Sequence, residues 1–365
     1  MTRTDRSEGS AKRDGDGWPQ FRYDAANTGS TASDGLPPEG NQRWRHETDD
    51  EIGASPAVAA GTVYIGSTDG SIYALDVGDG TRRWTFETAG AVYSSPAFAG
   101  ETVYVGSNDD SLYAVDAKRG EERWRFETGD DVFSSPAVWE EKIYFGSDEG
   151  TIYAVDANTG AERWSVSTGK PVSSSPTVSA GVVYVGGDDG SLYAIDAADG
   201  TEYWRFQTGG QILSTPAVES ETVYIGSQDT RLYAIDADDG TERWRYAADG
   251  GIMSSPAVFD GSLYVGVIGG GPHFDSLHGS LLTLDAETGE AEWSVDAAGF
   301  VDTSPAVTDT VVCFGSHDSV LYAVDRDDGT KRWQFDAEDV VISSPAIVDG
   351  CVYIADDAGY VYAVA

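Results

Sequence analysis

Lysine is scarce in this chain. Five of the 23 basic residues are Lys (Lys12, Lys118, Lys142, Lys170 and Lys331), set against 62 acidic residues and a formal net charge of −39. That balance excludes nucleic acid as a partner, because phosphate binding needs a basic stripe and none is present. A like charge of this size destabilises a compact state by self-repulsion. Salt screens the repulsion, with a Debye length of roughly 3 Å at 1 M. Asp and Glu are spread among aromatics and Val/Ile along the chain and are not gathered in a tail. The composition therefore reads as a protein from an extreme halophile, and its charge describes the solvent more than a partner.

Cysteine is nearly absent too. Cys313 and Cys351 fall at non-equivalent positions of neighbouring repeats, so they imply no disulfide framework and read as small apolar core residues. No apolar run approaches the length of a membrane span. Residues 1–10 lack the apolar segment of a signal peptide. The expectation is a cytoplasmic monomer without a membrane span, with export by a trimmed signal left open.

What the chain has in abundance is repetition. Tryptophans stand at 44, 84, 124, 164, 204, 244, 293 and 333, and Ser-Pro or Thr-Pro pairs put prolines at 56, 96, 136, 176, 216, 256, 305 and 345. A third recurring segment runs from Tyr73-Ala74-Leu75-Asp76 to Tyr362-Ala363-Val364-Ala365. One unit reads as four strands, over 132–138, 142–147, 151–156 and 162–166. Tight turns at Asp148-Glu149-Gly150 and Asn158-Thr159-Gly160 join them, each closing on a glycine able to take positive φ. Four short antiparallel strands per unit, repeated, predict a propeller blade. A solenoid would need polar caps at its ends. Here the ends are complementary instead: a lone fourth strand at 42–48 supplies what a final unit ending at 360–364 lacks. The predicted fold is an all-β, eight-bladed propeller over 41–365, its ring closed by that strand. Residues 1–40 form a polar tail and a cap, packed onto the ring by Trp18 and Phe21.

The stretch Ala114-x-Asp116-x-x-x-Gly120-x-x-x-Trp124 resembles the tryptophan-docking motif of the quinoprotein, or PQQ-type, propellers. The spacing recurs at Trp84, Trp164, Trp204, Trp244 and Trp333, and at Trp293 with Thr283 in place of the alanine; Trp44 opens the series. The resemblance implies rings packed between neighbouring blades and an Asp ordering each turn. It reaches both quinone dehydrogenases and non-catalytic, BamB-like scaffolds, so function has to be argued from a site. The segment from Trp18 to Gly29 also resembles a leader common before such propellers.

Comparing the repeats with one another separates frame from site. One column is uniformly aliphatic: Ile52, Val92, Val132, Val172, Ile212, Ile252, Val301 and Val341. The next is variable: Gly53, Tyr93, Phe133, Ser173, Leu213, Met253, Asp302 and Ile342. Alternation sends the two to opposite faces, so the uniform column packs between blades and the variable one lines the channel mouth. Tyr93, Phe133, Leu213, Met253 and Asp302, with Lys170 on an adjoining loop, form the candidate binding rim; apolar residues framed by polar groups suit a protein or small-ligand partner. An insertion at 267–279, on the same rim, carries His273, Asp275 and His278. With His317 these are possible metal ligands, but their spacing matches no standard zinc pattern, and no metal is expected.

The resemblance makes a PQQ-dependent dehydrogenase the enzymatic alternative. Members of that class hold the quinone between a tryptophan floor and a vicinal disulfide, beside a calcium ion and an aspartate. This chain has no adjacent cysteines, no tryptophan in the channel column and one acid there, Asp302, where a calcium cage wants about six to eight oxygens. The reading is a non-catalytic, cofactor-free binding scaffold for high salt; a small-molecule or sugar sensor using Tyr93 and Phe133 as stacking platforms is the second alternative. On dialysis to tens of millimolar salt the chain should lose its β-sheet circular dichroism, and an unchanged spectrum would contradict salt adaptation.

Overall fold

The computed structural model describes residues 17–24, 26–31, 39–269 and 278–365. Among them, 32 strands form eight antiparallel sheets of four, and no helix is long and apolar enough to cross a membrane. We number the blades along the chain: blade 1 (57–87), blade 2 (97–127), blade 3 (137–167), blade 4 (177–207), blade 5 (217–247), blade 6 (257–297) and blade 7 (306–336). Blade 8 takes three strands from the C-terminus and its outer strand from Gln42–Glu47, which pairs with Tyr360–Val364 in the register Glu47 to Tyr360. The ring is thereby closed, and no blade is left with an open side.

The inner strands are shorter than the sequence suggests. In blade 3 the regular strand is Ala137–Trp139, not 132–138. Pro136 has no N–H to give a ladder, and the Ser135 N–H turns aside to Ser175 Oγ of blade 4 at 2.9 Å. The same bond recurs from blade to blade, through Ser55 to Ser95, Ser95 to Ser135, Thr215 to Ser255, Ser255 to Ser304, Ser304 to Ser344 and Ser344 back to Ser55. These links run around the channel wall at seven of the eight junctions, and between blades 4 and 5 the hydroxyls of Ser174 and Thr177 donate instead to the carbonyls of Ser214 and Pro216.

Two further contacts hold blade to blade. The aliphatic column, Ile52 to Val341, is fully buried. Seven of its members, Val92 to Val341, pack where the second strand of the preceding blade has glycine, and blade 8 has Ala355 at that position: a Cβ on Gly106 would fall 2.3 Å from Val132 O and 2.5 Å from its Cγ1. Farther out, the indole N–H of Trp84 donates to Ala117 O of blade 2 at 2.9 Å. The equivalent bonds from Trp44, Trp124, Trp164, Trp204 and Trp244 reach Val77, Ala157, Ala197, Ala237 and Ala286. The ring lies against the glycine of the next turn, so that a Cβ on Gly120, which also has φ +68°, would sit 2.7 Å from Trp84. Trp293 and Trp333 lie in the same way against Gly329 and Gly40. Inside that turn, Asp116 accepts from the N–H groups of Lys118 and Arg119 and from Arg123 at 2.8 Å.

The leader crosses beneath the inner strands. Trp18 and Val58 exchange backbone bonds in blade 1, and Pro19 O accepts from Phe98 in blade 2. Gln20 accepts from Val138, and Asn27 donates to Pro176 O and Thr177. Ala26, Thr28 and Gly29 carbonyls then take the N–H groups of Val218, Val258 and Val307. Arg22 is buried under the ring and donates to the carbonyls of Pro305 and Pro256 at 2.6 and 2.5 Å. Burial pushes its guanidinium down to about 9, against the opposing pull of Asp24. Gly29 leaves the room that this guanidinium occupies, since a Cβ there would lie 2.2 Å from it.

Gly106→Ala should lower the melting temperature measured in molar KCl. Overpacking a tight core contact costs about 1–3 kcal/mol. An unchanged melting temperature would mean that the blades are not in close contact at the aliphatic column.

Candidate binding site at the channel mouth

The loops that enter the inner strands are fixed before any ligand arrives. Thr88 Oγ1 donates to the carbonyls of Gly70 and Gly90, joining its loop to the hairpin of its own blade. Thr128, Thr168 and Thr208 make the equivalent pair of bonds. From these loops the variable column points into the channel and encloses a cavity of about 530 Å³. Phe21 of the leader and the Ser/Thr ring also line it. Trp18 is buried against blade 1 as expected of a cap, whereas Phe21 is half-buried and faces the cavity.

Tyr93, Phe133, Leu213, Met253 and Asp302 all line this cavity, with Gly53, Ser173 and Ile342 of the same column. Lys170 does not: it is exposed on its loop, its carbonyl held by Thr168. Tyr93 and Phe133 stack with centroids 5.4 Å apart and planes 26° apart. Phe133 is 43% exposed, which is unusual for an aromatic ring held so firmly in place.

A second ring of residues escaped the sequence reading. The hairpins between the second and third strands turn toward the same mouth and begin with Thr68, Asn108, Asp148, Asp188, Gln228, His317 and Asp357. Their N–H groups bond the loop carbonyls of neighbouring residues, as Asp148 does with Asp131 and Asp188 with Pro171. This column also varies from blade to blade, although Asp recurs in it at 148, 188 and 357. Comparing the repeats at the first turn position would have found it.

The chemistry of the mouth is acidic. Asp148 and Asp188 line the cavity with Asp302, and among the described lining residues there is no Lys, Arg, Cys or Trp. Burial, reinforced by Asp131, Asp130 and Asp188, raises the Asp148 carboxyl to about 6. Burial likewise raises Asp188, against a bond from Ser173 that favours its ionised form. Across the ring, Asp302 Oδ2 lies 2.8 Å from His317 Nε2, and this bond is the main reason the imidazole titrates above its ordinary value.

The insertion yields little of a metal centre. His273 and Asp275 lie outside the described residues, His278 is exposed at the base of the insertion, and His317 is engaged with Asp302. Nor does the mouth fit a quinone site. Cys313 and Cys351 are separate buried thiols, with burial raising both pKa values. The quinone cofactor is a tricarboxylate, and here it would face three carboxyl groups without a basic side chain in the lining.

A family model described as outer membrane protein assembly factor BamB matches residues 33–146, 114–251, 207–271 and 250–365. No curated protein matches the sequence. Among solved structures, BamB from Moraxella catarrhalis superposes with a TM-score of 0.76 at 19% identity, covering 89% of this chain and 99% of that one. The quinohemoprotein alcohol dehydrogenase from Comamonas testosteroni gives a TM-score of 0.85 at 18% identity, covering 98% of this chain and 82% of that one. The computationally designed Ika8 protein gives 0.78 at 18% identity, covering 89% of this chain and 99% of that one. At these identities the likenesses speak to fold, and an assembly factor, an enzyme and a designed protein share it. With the family model spanning nearly all of the repeats, the chain belongs to the BamB-type family of PQQ-like β-propellers.

Proposed function

We propose that this chain is a non-catalytic binding propeller that receives a small ligand, or a narrow segment of a partner protein, in its channel mouth. The observation that carries the reading is the cavity in which the variable positions of different blades converge, with Tyr93 stacked on Phe133 at its wall. Positions that differ from blade to blade carry no burden of the repeat, so their convergence on one concave surface suits recognition. The family description, an assembly factor, favours a protein partner. A sugar stacked on the same two rings is the second use that they support.

The dehydrogenase reading is opposed by the chemistry of the lining. A tricarboxylate quinone in a partly desolvated site needs cationic partners, and Asp148, Asp188 and Asp302 repel it. Pyrroloquinoline quinone titrated into the protein in molar KCl with calcium should give no saturable quenching of tryptophan fluorescence. Saturable quenching, with dye reduction on adding alcohols, would establish the enzyme instead.

The binding site has its own test. The double variant Tyr93→Ala/Phe133→Ala should keep its circular dichroism and its melting temperature within a few degrees, because the buried aliphatic column and the tryptophans that join the blades are untouched. It should lose the line broadening that a set of small aromatic fragments shows with the wild-type protein by ligand-observed NMR. Undiminished broadening would place the ligand surface away from the mouth.

A further inference from the structure

Resting on that reading, we infer that the group the mouth selects is an organic cation, an ammonium or guanidinium on an apolar body, seated over Tyr93 and Phe133 with its charge toward Asp148 and Asp188.

The first support is which acids in this protein have cationic partners. On the outer turns Asp76, Asp116, Asp156, Asp236 and Asp325 each hold an Arg, at 2.7, 2.8, 2.5, 2.7 and 2.6 Å. Among the described residues, none of the acids lining the mouth is paired with Lys or Arg. Asp188 accepts from Ser173 at 3.3 Å and from Gln211 at 2.8 Å. Asp302 meets His317, and Oδ1 of Asp302 and Oδ1 of Asp148 are buried without a hydrogen-bond partner. Carboxylates withdrawn from water in this state lack the compensation that burial demands, and a cation in the cavity supplies it.

The second support is position. Phe133 and Asp148 belong to the inner strand approach and the hairpin of one blade, Tyr93 stands one blade before and Asp188 one blade after. The aromatic platform and the two carboxyls are therefore contiguous on one side of the cavity. A cation over an aromatic face is attracted by the ring quadrupole, and more strongly once desolvated. Leu213, Met253 and Ile342 on other walls offer apolar contact, which a hydrated potassium ion cannot use and an alkyl or aryl body can.

The third is salt. At molar ionic strength the Debye length is roughly 3 Å, so the outer charge attracts nothing from a distance. Charges inside a partly buried cavity are screened far less. Selection by sign is thus confined to the mouth in the solvent that the composition implies.

The experiment compares phenethylamine, phenylethanol and phenylacetate, alike in body and different in charge, by isothermal titration calorimetry in 2 M KCl at pH 8. The amine should bind at least about tenfold more tightly than the alcohol, and the acid should give no heat of binding. Asp148→Asn/Asp188→Asn should weaken the amine by about tenfold or more and leave the alcohol unchanged. Phe133→Ala should weaken both. Binding of the amine should also fall as the pH is lowered through about 6, where Asp148, faced by Asp130 and Asp131 of the adjoining loop and by Asp188, takes up a proton. His317 beside Asp302 gains charge in the same direction. A capped peptide bearing lysine, titrated in parallel, separates the sources: tighter binding of the free amine assigns a metabolite, tighter binding of the peptide a partner's side chain. Equal or weaker binding of the amine than of the alcohol, or indifference to the double Asn variant, overturns the inference. Retained alcohol binding that Phe133→Ala abolishes would then leave the mouth a binding site of different chemistry, whereas silence from every probe would count against both readings.

Discussion

Pairing of Gln42–Glu47 with Tyr360–Val364 joins residues more than three hundred positions apart, and the rest of the structure depends on it. No blade buries both of its faces alone; each needs a neighbour to cover its aliphatic column and to receive its tryptophan. A row of such blades would leave one covered face too few at each end. The closing strand removes the ends, at the cost of ordering a very long loop, a cost that grows only slowly with length. Once closed, the serine links run from Ser344 back to Ser55 across the seam as they do elsewhere. The leader reinforces the closure from below, bonding to the inner strands of blades 1 to 7.

That frame explains why so much of the fold was legible in the sequence. A tryptophan that must reach the next blade's turn, a glycine that must leave room for it and an aspartate that must organise the turn are fixed by local geometry, and they recur with the blades. Trp84, Gly120 and Asp116 are one such set. The variable column was legible for the opposite reason, because nothing in the frame constrains it. Two things were not legible. The inner strand of blade 3 begins only at Ala137, because Ser135 gives its N–H to the neighbouring blade, and single-strand alternation cannot reveal such a bond. The course of the leader depends on residues like Arg22 and Asn27 finding carbonyls 149 to 283 positions away, which no local pattern records. Asp148 and Asp188 were overlooked because they sit in acidic turns that composition had assigned to the solvent, although the equivalent turn of blade 6, the insertion, had been placed on the rim.

Blade 6 departs most from the pattern. It carries Thr283 where Ala114 stands in blade 2, Leu282 where Tyr113 stands and Glu292 in the place of Arg123. Asp285 accordingly has no arginine and is satisfied by Thr288 and the turn backbone. The same blade carries the extra residues between its second and third strands. Relaxed repetition and added sequence thus coincide in one blade. The distribution of charge is divided. Five of the acids on the outer turns are matched by Arg and hold the frame, and among the described residues the acids at the mouth are not paired with Lys or Arg.

The central claim is a ring closed as tightly at its seam as anywhere else. Hydrogen exchange followed by mass spectrometry in molar KCl tests it most directly. Slow exchange should be as marked for the peptides of blade 8, Gln42–Glu47 and Tyr360–Val364, as for those of blades 3 and 4, while the mouth loops exchange rapidly. Early, joint exchange of Gln42–Glu47 and Tyr360–Val364 ahead of the other blades would show an open ring and contradict the account.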